Sequence, residues 1–183
     1  MSGSPTRAKI AIGDVLGGTE PGLRAQACLL YKEWDEEDGE LYYWEEWELV
    51  GPNRYEYWVE VDHDSGQTSL YELLPATDVI DPVGLQVGQY VTLTGTMAGR
   101  QAVVTERRLG RVSQVTGQPT YPATLDKPVT YVTIRTRGGD KVSLTFRSCP
   151  GRPLRAYRRQ VLSPRKQKRR FGRVLFSNTF FNI

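Results

Sequence analysis

The stretch LYYWEEWELVGPNRYEYWVEVD, residues 41–62, constrains the fold more than any other part of the chain. It holds three of the four tryptophans (Trp44, Trp47, Trp58) and four of the ten tyrosines. Its left arm alternates from Trp47, with Trp47 and Leu49 on one side and Glu46, Glu48 and Val50 on the other. Its right arm sets Tyr55, Tyr57, Val59 and Val61 against Glu56, Trp58, Glu60 and Asp62. Period-two alternation with aromatic and β-branched enrichment marks a half-buried strand. Gly51-Pro52-Asn53 between the arms is turn chemistry. The expectation is an antiparallel hairpin whose aromatic side anchors a core.

Short strand-like runs continue on both sides. KIAIGDV (Lys9 to Val15), Leu23 to Trp34 and Thr68 to Leu73 complete about five strands in the first half, with turns at Asp38-Gly39 and Asp64-Ser65-Gly66. In the second half Ala102 to Val104, Gly110 to Thr116, Thr130 to Thr136 and Val142 to Phe146 read as strands, with Gly138-Gly139-Asp140 as a hairpin signal. Leu154 to Leu162 reads as a final strand or a helical turn. Turn signals every eight to twelve residues indicate sandwich or barrel architecture. Ile10-Ala11-Ile12-Gly13-Asp14-Val15-Leu16 resembles Leu85-Gln86-Val87-Gly88-Gln89-Tyr90-Val91, so the second half restarts the first. The expected fold is all-β: two related small antiparallel β-modules, barrel- or sandwich-like, with a basic C-terminal arm. The expected divisions are an acidic, Trp-rich module over 1–74, a linker over 75–84, a basic module over 85–162 and a basic arm with a Phe-rich end over 163–183.

The net charge of +3 conceals a strongly polar layout. Residues 1–83 carry 5 Lys+Arg and 18 Asp+Glu, whereas residues 84–183 carry 19 and 3. Such segregation speaks about partners rather than about fold. Either the two halves attract each other, or they face two partners. Ten Lys/Arg and no acid fall between Pro150 and Arg173. The segment from Ser163 to Arg173 is expected as an arm that stays mobile unless something binds it. Phe176, Phe180 and Phe181 would form a sticky patch if exposed and are expected to dock. No apolar run is long enough for a spanning helix, and the first residues lack a signal-peptide core, so a cytoplasmic protein is expected, with the periphery of the inner membrane as a further option.

Few residues offer catalysis. His63, the one histidine, lies between Asp62 and Asp64; neighbours on a strand face opposite ways, so the three do not converge on a metal, and a polar hairpin tip is expected. Cys28 and Cys149 fit no metal spacing and are read as reduced thiols, a long-range disulfide being the alternative. Gly95 to Arg100 lacks the phosphate-loop lysine and dinucleotide spacing. No cofactor or metal is expected, and a non-enzymatic protein is. Two binding chemistries remain. Trp44, Trp47 and Trp58 with Glu45, Glu46 and Glu48 combine ring faces with carboxylates, which suits a cation such as a polyamine; the alternative is rings in the core and solvated carboxylates. Arg165, Lys166, Lys168, Arg169, Arg170 and Arg173 suit an anion: an acidic protein, an anionic membrane surface or nucleic acid. Their alternative is a strap lying on the acidic half of the same molecule.

The Ile12-Gly13-Asp14 lead-in, the Tyr43-Trp44-Glu45-Glu46-Trp47-Glu48-Leu49 strand and Tyr57-Trp58-Val59, with the repeated lead-in Val87-Gly88-Gln89 and the turn Gly117-Gln118-Pro119, resemble a bacterial domain family of unknown function. The likeness spans about Lys9 to Leu162. It departs at Gln89 and Gln118, where that family's pattern has an acid. It implies an accessory β-domain without established activity, found with membrane-stress proteins of the phage-shock type and with polyamine-synthesis enzymes. It implies no catalytic residue. A partner protein, at a membrane-associated complex, is therefore the leading expectation.

Overall fold

Alternation along the strands sets the architecture. The computed structural model describes residues 6–19, 22–74, 80–121, 123–138, 141–149 and 154–177. In the first half β1 (Val15–Leu16), β2 (Leu23–Trp34), β3 (Leu41–Val50), β4 (Glu56–Asp62) and β5 (Thr68–Leu73) follow one another as antiparallel neighbours. In the second half β6 (Tyr90–Thr92), β7 (Gln101–Gly117), β8 (Pro128–Thr136), β9 (Ser143–Ser148) and β10 (Arg155–Val161) do the same. The first long strands of the two halves pair (β2 with β7), and so do the last (β5 with β10). These seams close an eight-stranded antiparallel β-barrel, with β1 and β6 as extra strands at its rims. Each half is thus a four-stranded meander, and the two share one barrel.

The restart visible in the sequence is a repeated backbone motif. Gly13 N–H donates to Ala25 O at 2.8 Å and Ala25 N–H to Asp14 O at 2.8 Å. Gly88 N–H donates to Val104 O at 2.8 Å and Val104 N–H to Gln89 O at 2.9 Å. The Asp14 side chain accepts from Ala11 N at 3.0 Å, and the Gln89 amide oxygen accepts from Gln86 N at 3.1 Å. Glutamine keeps the carbonyl oxygen that this turn needs, so the departure at Gln89 leaves the motif intact. Both glycines sit at positive φ, +92° and +86°, which explains their place in the repeat. Of the expected Lys9–Val15 strand only Val15 is paired, with Leu16 just beyond it, because the turn at Gly13 consumes the rest.

Three apolar layers result. The outer face of the first meander buries Leu23, Trp47, Leu49, Val59 and Val61 beneath Ile10, Leu162, Phe171 and Leu175. The outer face of the second buries Val104, Val132, Ile134 and Phe146 beneath Leu85 and Leu93. Between the meanders, inside the barrel, Leu29, Tyr31, Trp44, Trp58, Tyr71, Val112, Tyr131 and Tyr157 meet. Tyr31 stacks on Trp44 (5.1 Å between centroids, 7° between planes), and Tyr131 stands edge-on to both. Gly110 makes room for this plug, since a Cβ there would come within 2.3 Å of the Trp44 ring. Sequence alone reads Gly110 as the start of a new strand; it lies inside the 17-residue β7, as a glycine does where another group approaches the backbone closely.

The segment after Ser163 is not an arm but a helix, α1 (Pro164–Phe171). Ser163 caps it, proline occupies its first turn, and Gly172 ends it at φ 75°. Gln167, buried, clamps the helix. Its amide donates to Leu162 O and Phe176 O and accepts from Leu175 N and Phe176 N, at 2.9 to 3.3 Å. Thr19 N–H caps Arg169 O at 2.9 Å, and Lys9 N–H reaches Leu175 O at 2.7 Å. Phe176 packs against the outer core, whereas Phe180, Phe181, the first half of the expected linker (75–79) and Gly139-Asp140 lie outside the described residues. Cys28 and Cys149 are both free thiols. No helix among the described residues is long and apolar enough to cross a membrane.

Candidate functional site: the barrel interior and the face of α1

The alternation of β3 and β4 sends Trp44, Glu46, Glu48, Glu56, Trp58 and Glu60 toward the interior. The second meander answers with arginines. Arg147 of β9 lies 3.4 Å from Glu46 and donates to the Tyr31 hydroxyl. Arg108 of β7 reaches Glu33, Glu60 and Asp62, each at 3.5 Å. Arg159 of β10 pairs with Glu106, lies 3.9 Å from Glu60 and donates to Ser69. Arg155 of β10 donates to both Glu56 oxygens at 3.1 Å. The charge segregation of the sequence is thereby answered within one molecule: the acidic half and the basic half face each other across the barrel.

Burial sets the proton affinities. It pushes the Glu60 carboxyl up to about 7, against the pull of Arg108 and Arg159. The Arg147 guanidinium stays charged despite its loss of solvent, with the Glu46 carboxylate beside it. The choice of arginine fits these positions, since the planar fork satisfies several acceptors at once and stacks on rings.

The six residues marked for a cation are not brought to one place. Trp44, Trp58, Glu46 and Glu48 face inward, whereas Trp47 and Glu45 face the outer core. Cations already cover the inward rings. The Arg108 guanidinium lies 3.8 Å from the Trp44 ring centroid, and that of Arg147 lies 5.4 Å from Trp58. Glu45 fastens the N-terminal strap, accepting from Ala8 N at 2.6 Å and Arg7 N at 3.1 Å. His63 is not at a polar tip either; it is buried against this strap, its Nε2 4.0 Å from Glu45. Burial, helped by Arg7, pulls its pKa down to about 4. The turn itself forms on Asp62, which accepts from Asp64 N and Ser65 N.

The six residues marked for an anion divide as well. Arg170 bonds to Glu72 and Gln160, and Arg173 pairs with Asp14. Arg165, Lys166, Lys168 and Arg169 stand exposed on the far side of α1 and make no ion pair among the described residues. Sequence reasoning missed Arg108, Arg147, Arg155 and Arg159. The available signal was period two in Arg155-Ala156-Tyr157-Arg158-Arg159, where arginine and tyrosine share a face as acid and tryptophan do in β4.

The aromatic plug leaves a space at each end of the interior. One, of ≈ 270 Å³, is walled by Leu29, Trp58, Val112 and Tyr157, with Arg147 and Arg155 beside it. The other, of ≈ 460 Å³, is polar and lined by Glu60, Asp62, Glu106, Arg108 and Arg159. Comparison with protein-family models, curated proteins and solved structures gives no match.

Proposed function

We propose that the protein is a non-enzymatic accessory module that grips an acidic segment of a partner protein through the cationic face of α1. One observation carries this reading: four exposed cations, unpaired among the described residues, stand on a helix whose opposite face is locked to the barrel by Gln167 and Phe171. Holding the helix in place in advance spares a partner the ordering cost that a mobile arm would impose. Inside the barrel Glu46, Glu56 and Glu60 are engaged by arginines and Glu48 by Thr120 N–H, which favours a cohesive role for that interior over proton-transfer chemistry.

A protein partner fits this face better than the two other anions. Helices that lie on membranes insert apolar side chains, and the apolar residue of α1, Phe171, is spent on the barrel. Eight residues of helix span about 12 Å, a footprint of few phosphates, and no ring stands on the exposed face to stack on a base. The test compares a glutamate-rich peptide, a DNA duplex and vesicles rich in anionic lipid, titrated into the full chain at low and moderate salt. The peptide should bind, and changing Arg165, Lys166, Lys168 and Arg169 together to Gln should abolish its binding. Preference for vesicles or duplex, or peptide binding that survives the four changes, rejects the reading.

A further inference from the structure

Of the two interior spaces, one stays mainly apolar once Arg147 and Arg155 have found their acids. It is the ≈ 270 Å³ cavity at the barrel end beside Leu29, Val112 and Val129. Its size lies near the lower limit of small-molecule sites, which run from roughly 300 to 1,000 Å³. Aliphatic side chains form one wall, and Trp58 and Tyr157 form another. The connection between β7 and β8 folds over the opening. Thr120 N–H donates to Glu48 at 2.9 Å, Asp126 N–H donates to Val112 O at 2.9 Å, and the Tyr121 ring takes the Arg155 guanidinium at 3.5 Å.

The charges of this lining do not cancel. Arg147 is answered by Glu46 at 3.4 Å, and Arg155 by Glu56 at 3.1 Å. Glu56 is further occupied by the Trp58 indole N–H. Glu48 sits behind the covering connection, held by Thr120, and burial shifts its carboxyl toward the neutral form. Lys127, the third cation of the lining, has no ion pair among the described residues. One positive charge is left over beside an apolar, ring-walled space.

We infer that this mouth binds a small monocarboxylate with an aromatic or branched hydrocarbon body. The carboxylate meets Lys127 at the rim, and the body lies against Trp58 and Tyr157. The site is separate from the face of α1, and neither depends on the other. Cys149 lines the same cavity and reports on its occupancy, because Cys28 is buried and its thiol is pushed far up by burial.

The experiment uses the full chain and three probes of one shape: 1-naphthoate, neutral 1-naphthylmethanol and cationic 1-naphthylmethylamine. Calorimetric titration is paired with the rate at which a thiol reagent labels Cys149. Naphthoate should bind saturably, slow the labelling, and bind about tenfold more tightly than the amine, the factor that about 1.4 kcal/mol gives. Lys127→Gln should weaken naphthoate roughly fivefold, the scale of a partly exposed ion pair, and leave the alcohol unchanged. Ala123→Trp, in the covering connection, should block all three. The four α1 changes should alter none of these constants. No saturable naphthoate binding, an amine that binds as well as naphthoate, or a Lys127→Gln protein that binds naphthoate as before overturns the inference.

Discussion

Two sets of cations stand inside and outside the same barrel. Arg108, Arg147, Arg155 and Arg159 face inward, and each has a carboxylate within 3.9 Å. Arg165, Lys166, Lys168 and Arg169 face outward from α1 and have none among the described residues. The inner set is all arginine, matching multidentate partners and ring faces; the outer set mixes arginine and lysine, as an exposed face tolerates. Net charge by region is therefore a poor guide to partners until the in-chain pairs are removed. Six arginines of the basic second half, Arg108, Arg147, Arg155, Arg159, Arg170 and Arg173, are committed to acids of the first half, and the four cations on the outer side of α1 are not.

The inner set is most sensitive at Arg147. It lies among Tyr31, Trp58 and Tyr131 and pairs with Glu46, so Arg147→Leu leaves a buried carboxylate without its cation. Losing one partner of such a pair costs about 3–5 kcal/mol. Denaturant unfolding should show this loss, and adding Glu46→Leu should recover most of it. A single variant that stays within about 0.5 kcal/mol of the parent would place the inner set with the surface charges.

The next effect is steric. Gly110→Ala drives a methyl group into the Trp44 ring that carries Arg108 on its face. Overpacking of this kind costs about 1–3 kcal/mol. Trp44→Phe in the same chain should relieve part of it, as thermal unfolding of the single and double variants would reveal.

These two residues show how far the sequence is legible. Alternation over 41–62 separates the two faces of β3 and β4 correctly but misjudges their burial: the strands are buried on both faces rather than half-buried, because one face lines the barrel, where arginines of the second half meet its carboxylates, and the other lies under the outer core. The turn repeat is legible too, since Gly13 and Gly88 each sit at a positive φ that glycine adopts without strain. Closure of one barrel is not. It depends on the pairing of β2 with β7 and of β5 with β10, contacts between distant segments that no local pattern records. Gly110 reads as a break because a close approach and a turn call for the same residue. Arginines destined for the interior look like surface charge until their acids are placed opposite. The helix was marked by Ser163-Pro164 and Gly172, signals outweighed by the run of like charges between them.

Acidity separates the inner pairs from the buried histidine. The ordinary pKa of His63 is 6.5, and in the folded chain it falls to about 4. The unfolded chain therefore binds more protons between those values, and the stability of a neutral His63 is complete above pH 6.5 and lost as the pH falls to 4. Glu60 runs oppositely: its pKa rises from 4.5 to about 7, so the folded chain binds more protons in that window and its contribution declines as the pH rises. His63→Leu should gain roughly 1–2 kcal/mol relative to the parent as the pH drops from 6.5 to 4. Glu60→Gln should gain relative to the parent as the pH rises from 4.5 to 7. Parallel profiles for parent and variant would show that the group in question is not titrating as placed.

The smallest expected effect on stability belongs to the outer set. Changing Arg165, Lys166, Lys168 and Arg169 to Gln leaves Gln167, Phe171 and Leu175 in place, and with them the contacts that hold α1. Removing the crowding of like charges helps the helix, while losing cations from its last turn hurts it, each by a few tenths of a kcal/mol. The midpoint of unfolding should therefore stay within about 0.5 kcal/mol of the parent, although four charges have gone. Binding of a glutamate-rich peptide should be lost at the same time. A loss of stability as large as that of Arg147→Leu would mean that the outer cations, like the inner ones, serve cohesion within the chain, and the face of α1 would then have nothing left to offer a partner.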